Sequence, residues 1–318
     1  MRRRELIALL GGMTVVWPFA AHAQQGERVH RIGVLLVSGP EPMGPFREAL
    51  RDLGYVEGKN IQIEVRSAQG QLTRLTELAA ELVRSQVDVI VAIRTPAVDA
   101  AKTATRDIPI VMMAGDPIAT GLITNLARPD GNLTGLSGAA AELAAKSLEL
   151  IPEIVTGAHR VGVLGNANDP FMKPFLEEIQ QAAPKVRLEV HQIIVHSSDE
   201  LDGAFAAIAR QRADAAMIQG SFSDKLTVGL PLKYRLPSLS TQKSAVRAGI
   251  LMSYSASLAE RGQEIARYVD KILKGAKPAE LPVQQPTRYE MAINLKTAKA
   301  LGLTIPPSML ARADEVIE

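Results

Sequence analysis

The chain has 318 residues, of which 47% are hydrophobic and 22% charged, a composition typical of a globular protein with about two domains. It contains no cysteine, which excludes disulfides, thiolate metal sites and cysteine nucleophiles. Its formal net charge of +2 gives no electrostatic reason to expect nucleic acid or an anionic membrane as a partner.

The first predicted element, residues 1–23, is typical of a cleaved export signal. It has a basic start at 2–4, a mainly apolar run at 6–20 and a small-x-small cleavage site at 21–23. The apolar run is too short and too interrupted by glycine and proline to span a membrane. Its removal takes away three of the 36 basic and one of the 34 acidic residues, leaving 33 of each. We therefore expect a periplasmic protein without a lipid anchor, exported by either the Sec or the twin-arginine route.

The first predicted strand, HRIGVL at 30–35, returns almost unchanged as HRVGVL at 159–164. Short continuous apolar runs of this kind are typical of buried parallel strands. Further strand-like stretches follow each copy in the same order, with helical stretches between them. The later pairs are 61–67 with 186–192, 87–92 with 213–218, and 108–111 with 236–239. This duplicated βαβαβ pattern predicts an α/β fold of two similar doubly wound parallel-sheet lobes.

The remaining elements predict how the lobes are joined. A strand at 131–137 closes the first sheet, and a strand at 248–254 is its counterpart in the second. Ser257 and Glu260 form a capping-box pattern that opens a helix. A strand at 288–295, a short helix and a terminal loop complete the chain. We expect lobe one to comprise 28–137 plus 255–286 and lobe two 138–254 plus 287–318, joined by a three-strand hinge.

Two facing lobes predict a binding cleft. Ligands bind at the carboxyl ends of strands in open parallel sheets, and a cleft between two such edges closes by a hinge motion. Polar residues follow the predicted strands at these ends. The candidate ligand-binding residues are Ser38, Thr95, Asp116 and Ser137 in lobe one, and Asn166, Asn168, Ser221, Asp224 and Gln242 in lobe two.

Four of these candidates have a structural alternative. Thr95 followed by Pro96 predicts an N-cap and first helical residue, where free N–H groups favour a ligand carboxylate, but Thr95 also serves if it only caps its helix. Asp116 suits either a ligand ammonium or the start of a turn. Ser221 and Asp224 are either ligand contacts or ordinary turn and cap residues.

The sequence gives no support for catalysis. It lacks the phosphate-binding glycine motifs and the G-x-S-x-G nucleophile motif. Its five histidines have no metal-ligand spacing. We therefore predict a protein that is not an enzyme and that uses neither a cofactor nor a metal.

Several stretches resemble one protein family over nearly the whole chain. They include GYVEGKNIQIE at 54–64, TPAVDAAKTATRDIPIV at 95–111, LARPDGNLTGLS at 126–137 and, most specifically, the tail from Tyr268 to the end. These stretches are similar to the ABC-transporter substrate-binding proteins of the tryptophan/tyrosine-binding-like type.

The resemblance implies a type I periplasmic-binding-protein fold with three interlobe crossings. It implies capture of a small solute, an amino acid or an aromatic or carboxylate metabolite, and its delivery to an ABC permease with its ATPase. The ligand positions it implies are Ser38, Thr95, Asp116 and Ser137 and the loops 166–169 and 221–224. Two departures from the family are a short first loop and the interruption of a helix by Gly229 and Pro231.

Two points stay open at this stage. Few aromatic side chains are available to stack on an aromatic ligand: Phe46, Phe171, Phe222 and Tyr254 are the cleft-side candidates. A periplasmic ligand-sensing subunit of a signalling system with the same fold is an alternative to a transport receptor. In either case we expect a monomer that binds a small molecule and no nucleic acid.

Overall fold

The computed structural model describes residues 29–39, 43–222 and 229–318. The predicted export signal at 1–23 and the candidate Asp224 lie outside the described residues. Two α/β lobes form the described part, as the sequence predicts.

Lobe one is built on a five-stranded parallel sheet in the order β2-β1-β3-β4-β5. Its strands are β1 (His30–Leu36), β2 (Ile61–Ser67), β3 (Val89–Ile93), β4 (Ile110–Ala114) and β5 (Leu133–Ser137), and its first helices are α1 (Met43–Asp52), α2 (Leu75–Arg84) and α3 (Thr95–Ala104). Strands β3, β4 and β5 are buried throughout because helices cover both faces of the sheet, whereas only Ile61 is buried in the edge strand β2.

Lobe two begins with α4 and α5 and repeats the same alternation. Its elements are α4 (Ala140–Glu149), α5 (Ile151–Ile154), β6 (Arg160–Asn166), α6 (Met172–Ala182), β7 (Glu189–Val195), α7 (Leu201–Arg210), β8 (Ala215–Ile218), α8 (Leu230–Lys233), β9 (Ser238–Ser240), α9 (Lys243–Arg247) and β10 (Met252–Ala256).

The C-terminal part of the chain completes both lobes. Its elements are α10 (Leu258–Leu273), β11 (Tyr289–Asn294), α11 (Leu295–Leu301), α12 (Pro307–Leu310) and β12 (Glu315–Ile317). The second sheet has the order β12-β11-β10-β9-β8-β6-β7, with β11 antiparallel to β10. Helix α10 packs its buried face, including Ile265 and Val269, on the core of lobe one.

The glycine of the repeated hexamer lets a helix approach the strand closely. A Cβ atom on Gly33 would lie 3.1 Å from side-chain atoms of Leu82 and Val87. At the equivalent Gly162, a Cβ atom would lie only 2.5 Å from Ile208 on α7. The duplication therefore preserves a packing requirement.

An aspartate forms hydrogen bonds with the backbone at the amino end of each repeated strand. Arg31 N–H donates to the Asp88 carboxylate, and Asp88 N–H donates to the carbonyl of Arg31, both at 2.7 Å. Arg160 and Asp214 make the same two bonds in lobe two, both at 2.9 Å. Each aspartate satisfies a strand-end N–H group that would otherwise lack a partner.

The chain crosses between the lobes three times, after β5, after β10 and before β11. The third crossing first pairs with β5, since Gln284 N–H donates to Gly135 and Ser137 N–H donates to Gln284. The predicted capping box is wrong: the Ser257 side chain makes no cap bond. Glu260 instead accepts the N–H groups of Thr287 (3.2 Å) and Arg288 (3.0 Å), which joins the second and third crossings.

Three predicted elements differ from the structure by three residues or more. The strand expected at 248–254 begins only at Met252, because a turn at 248–249 and a bend at 251 follow α9. The strand expected at 186–192 begins only at Glu189, because residues 183–186 form a 3-10 turn that ends with Arg187 in the left-handed conformation, at φ 57°. The expected terminal loop contains α12 and then β12, which pairs with β11.

Candidate functional site

A cavity of about 1020 Å³ lies between the lobes, at the carboxyl ends of both sets of strands. This volume is at the upper end of the range of roughly 300–1000 Å³ that holds drug-sized ligands. Residues from both lobes line it, so a ligand there would contact both and hold them together.

The lobe-one wall presents the start of α3. Helix α3 begins at Thr95, with Arg94 rather than Thr95 at the N-cap. The Thr95 hydroxyl is buried and accepts the N–H of Gly115 at 3.1 Å, so it holds the ends of β3 and β4 together instead of capping its own helix. Thr95 lines the cavity, and the positive end of the α3 dipole lies on this side.

Arg94 bridges the two lobes. Its guanidinium donates to the carbonyl of Gly220 in lobe two at 2.5 Å. Its backbone has φ 77°, a region that non-glycine residues seldom occupy and that here coincides with the cavity wall. Arg94 was absent from the predicted site, although it directly follows β3 and therefore lies at the carboxyl end of a strand.

Phe171 contacts the opposite lobe through Gly115. A Cβ atom on Gly115 would lie 2.9 Å from the Phe171 ring, so the glycine is what lets the ring reach the lobe-one backbone. Of the four aromatic candidates, Phe171 lines the cavity and the other three do not. Phe46 and Phe222 are buried in the cores, and Tyr254 stacks on Tyr289 at 5.9 Å between ring centroids.

Asp169 is a buried carboxylate on the lobe-two wall. It is 7% exposed and accepts the N–H of Phe171 and the side-chain N–H of Gln219, each at 2.9 Å. Burial raises the pKa of Asp169, because it disfavours the charged form. The donors around it and the positive charge of Arg94 act in the opposite direction. A ligand cation would stabilise this carboxylate further.

Gln219 holds Asp169 and was absent from the predicted site. It is 1% exposed, and its carbonyl oxygen accepts the N–H of Asn166 at 2.8 Å. The sequence offered only a weak signal, its position directly after β8 and two residues before the candidate Ser221.

An ionic cluster lines the side of the cavity near α9. Lys243 Nζ lies 2.9 Å from Glu290 and 3.0 Å from Glu315, and Arg247 bonds both carboxylate oxygens of Glu315. Burial lowers the pKa of Lys243, but the hydrogen bonds to the two glutamates outweigh it and raise the pKa. The hydrogen bond from Arg247 is the main reason that the pKa of Glu315 falls to about 2.

The predicted site residues divide into three groups. Ser38, Thr95, Ser221 and Gln242 line the cavity, and Asp224 lies outside the described residues. Asp116, Ser137, Asn166 and Asn168 are not on its wall. A role in ligand binding stays a prediction for all of them.

Two of the candidates that do not line the cavity accept hydrogen bonds from nearby backbone N–H groups. The Asp116 carboxylate accepts the N–H groups of Ile118 (3.1 Å) and Ala119 (3.0 Å), which corresponds to the turn alternative. The Asn166 side chain accepts the N–H of Asn168 at 3.0 Å.

The Asn168 amide donates to the carbonyl of His196 at 2.7 Å, so it joins two loops. Ser137 is buried and lies at a separate cavity of about 290 Å³ beside the crossings.

Within residues 29–39, 43–222 and 229–318, no helix has the length and apolar character needed to cross a membrane. Over those ranges, no group of three histidine, aspartate or glutamate side chains is arranged to hold a metal ion.

The fold and the interlobe cleft define a two-lobed binding protein of the type I periplasmic class. The sequence profile of the ABC transporter substrate binding protein family matches residues 38–317, and the chain therefore belongs to this family. The resemblance found in the sequence is confirmed. The chain is thus a substrate-binding protein for small molecules, in a family of solute-binding proteins rather than of enzymes.

Individual proteins show the same relationship. The chain is 29% identical over 266 residues to a tyrosine-binding protein of Clostridioides difficile, an alignment that covers 81% of this chain and 75% of the relative. A Streptococcus pneumoniae ABC domain, solved with L-Trp, is 27% identical with a TM-score of 0.81. A conserved domain protein of Vibrio cholerae is also 27% identical, with a TM-score of 0.83. Both structural alignments cover 91% of this chain and 100% of the other.

Proposed function

We propose that this protein captures an aromatic amino acid in the interlobe cleft and delivers it to an ABC importer from the periplasm. The observation that carries the proposal is the placement of Phe171, Asp169 and the α3 start around one cavity. A ring, a carboxylate and a positive helix end are complementary to the side chain, ammonium and carboxylate of such a ligand. The tyrosine-binding relative and the neighbour solved with L-Trp support the same class.

The two lobes would contribute different groups. The ligand carboxylate would lie toward Thr95 and Arg94, and the ammonium toward Asp169, while the side chain would lie against Phe171. We infer that Ser38, Ser221 and Gln242 complete the wall. Closure would bring lobe one, 28–137 plus 255–286, onto lobe two, 138–254 plus 287–318, about the three crossings.

Calorimetry on the purified protein tests the ligand class. We expect L-tryptophan or L-tyrosine to bind with a stoichiometry of one and more tightly than L-leucine. We expect benzoate, which has no amine, to bind weakly. Binding of benzoate or leucine in preference to both aromatic amino acids would contradict the proposal.

A pair of phenylalanine variants tests the ring contact. Phe171→Leu should lower the affinity for aromatic ligands by about 2- to 10-fold, the range expected for loss of an aromatic pair. Phe222→Leu is the matched control, because Phe222 is buried in the core of lobe two and is absent from the cavity wall. The control should lower the melting temperature and leave the affinity unchanged. Equal affinities for Phe171→Leu and the wild type would exclude stacking on this ring.

Export and delivery need separate experiments. We expect the protein in the periplasmic fraction, beginning at Gln24 after cleavage at 21–23, and as a monomer in light scattering. Reconstituted permease and ATPase should take up the labelled amino acid only when this protein is added. Binding without any such uptake would favour a sensing role over transport.

A further inference from the structure

The Gln219 side chain is held at both ends inside lobe two. Its carbonyl oxygen accepts the N–H of Asn166 at 2.8 Å, and its amide nitrogen donates to Asp169 Oδ2 at 2.9 Å. The backbone N–H of Asn166 can only donate, so the amide oxygen must face it and the nitrogen must face Asp169. The orientation of Gln219 is therefore determined by the backbone of β6.

The Asp169 carboxylate is fixed at two points as a result. The N–H of Phe171 donates to Oδ1 at 2.9 Å, and Gln219 donates to Oδ2. Each carboxylate oxygen accepts two hydrogen bonds when it is fully satisfied, so the donors Phe171 and Gln219 together with the nearby Ser221 hydroxyl still leave one acceptor position for a ligand. Asp169 is on the cavity wall and is only 7% exposed, which makes its direction important for any ligand cation.

The residue after Gln219 is tied to the other lobe. The Gly220 carbonyl accepts a hydrogen bond from the Arg94 guanidinium. The positive charge of Arg94, in lobe one, also favours the charged form of Asp169. Gln219 N–H donates to Leu164 at 3.1 Å, which holds this segment to β6. Gln219 therefore connects the buried hydrogen bonds around Asp169 to the contact between the lobes at Gly220.

We propose that Gln219 is a positioning residue that aims the Asp169 carboxylate into the cleft and so makes the site select ligands that carry a primary ammonium group. The inference rests on the proposed function, because it assigns the specificity of the same cleft. An apolar side chain at 219 would leave the Asn166 N–H and one Asp169 oxygen without their partner. A carboxylate there would place a second acid beside Asp169.

The first test compares two ligands that differ only by the amine, L-tryptophan and 3-(indol-3-yl)propionate, by calorimetry. Gln219→Met should lower the affinity for L-tryptophan by about 10- to 100-fold, as for loss of a hydrogen bond to a charged group. The affinity for the amine-free acid should stay unchanged. Gln192→Met is the matched control, since Gln192 is an exposed residue of β7 outside the cleft, and it should change neither affinity. Equal weakening of both ligands would show a merely structural role and overturn the proposal.

The second test needs no ligand. Carbon-13 labelling of aspartate carboxyl groups reports the Asp169 titration in the empty protein. Gln219→Met should raise the pKa of Asp169 further, because the lost N–H donor favoured the charged form. An unchanged midpoint would overturn the proposal. Gln219→Leu, which also removes the donor and adds no charge beside Asp169, serves if Gln219→Met does not fold.

The two tests separate the two hypotheses. If the wild type binds neither ligand, the aromatic amino acid function fails, while the titration still decides whether Gln219 positions Asp169. If L-tryptophan binds and both tests are negative for Gln219, the function stands and the positioning role is excluded.

Discussion

At the amino ends of their strands, the two lobes are nearly copies of each other. Asp88 and Asp214 make the same pair of backbone bonds, and Gly33 and Gly162 make room for the same helix contact. Arg31 pairs with Glu64 in lobe one, and Arg160 pairs with Glu189 in lobe two. These groups lie away from the cleft and serve the packing of each lobe.

At the carboxyl ends, the lobes have diverged. Lobe one offers a helix start, bare backbone at Gly115 and the cation Arg94, whereas lobe two offers Asp169, Gln219 and Phe171. The two copies therefore share the residues that pack each lobe and differ in the residues that line the cleft. A cleft with different walls can orient a ligand with unlike ends, which two identical walls would not do.

The largest effect is expected from removing the charge of the lobe-two wall. Asp169→Asn should lower the affinity for an aromatic amino acid by about 30- to 1000-fold, because the ligand ammonium loses its buried partner. Calorimetry measures this directly. An affinity within threefold of the wild type would place the ammonium elsewhere.

The duplicated aspartate provides the contrasting variant. Asp214→Ala should leave ligand affinity unchanged and lower the free energy of unfolding by about 1–3 kcal/mol, because the N–H of Arg160 loses its partner. Urea denaturation measures the second effect. A loss of affinity in Asp214→Ala with normal stability would contradict the division between the two strand ends.

A methyl group on the lobe-one wall should hold the cleft open. In Gly115→Ala the new carbon would lie 2.9 Å from the Phe171 ring, so the lobes must separate slightly or the ring must move. We expect ligand affinity to fall about tenfold. Small-angle scattering should show a larger radius of gyration with ligand than the wild type has. Gly44→Ala, where an added Cβ meets nothing within 4 Å, is the control and should behave as the wild type.

The two equivalent glycines should tolerate a methyl group differently. Gly162→Ala should cost about 1–3 kcal/mol of unfolding free energy, because its Cβ atom would lie 2.5 Å from Ile208. Gly33→Ala should cost less, since its nearest contacts are at 3.1 Å. Denaturant unfolding of the two variants gives the order. The reverse order would show that the packing of the two lobes is less alike than their sequences.

The smallest expected effect comes from the ionic cluster, for which lobe two alone supplies residues. The pKa of Glu315 is lowered to about 2, so its charge stabilises the folded state above the unfolded value of about 4.3 and that stability is lost as pH falls toward 2. Glu315→Gln should be about 1 kcal/mol less stable at neutral pH. Thermal unfolding against pH should show the difference disappearing in acid. A difference that persists there would exclude the charge as its cause.

Short-range patterns predicted elements better than they predicted side-chain partners. Continuous apolar runs identified β1, β3 and β4, because a buried parallel strand leaves that signal in its own residues, and alternation identified the edge strand β2. Thr95 and Ser257 have the sequence of caps, yet neither side chain caps its helix. Thr95 accepts the N–H of Gly115 instead, a partner that the local sequence does not reveal. Strand β12 escaped prediction because it is short and only partly buried.

The sequence by itself determined the two lobes, their parallel sheets and a cleft at the strand ends. Burial periodicity is a property of neighbouring residues, and the internal repeat is visible when one half of the sequence is aligned with the other. Only the tertiary structure decided which polar groups reach the cleft. Asp169 and Gln219 are 50 residues apart in the chain, and Arg94 and Gly220 are 126 apart. A hydrogen bond depends on distance and direction, which are set when the sheets are assembled and the lobes face each other.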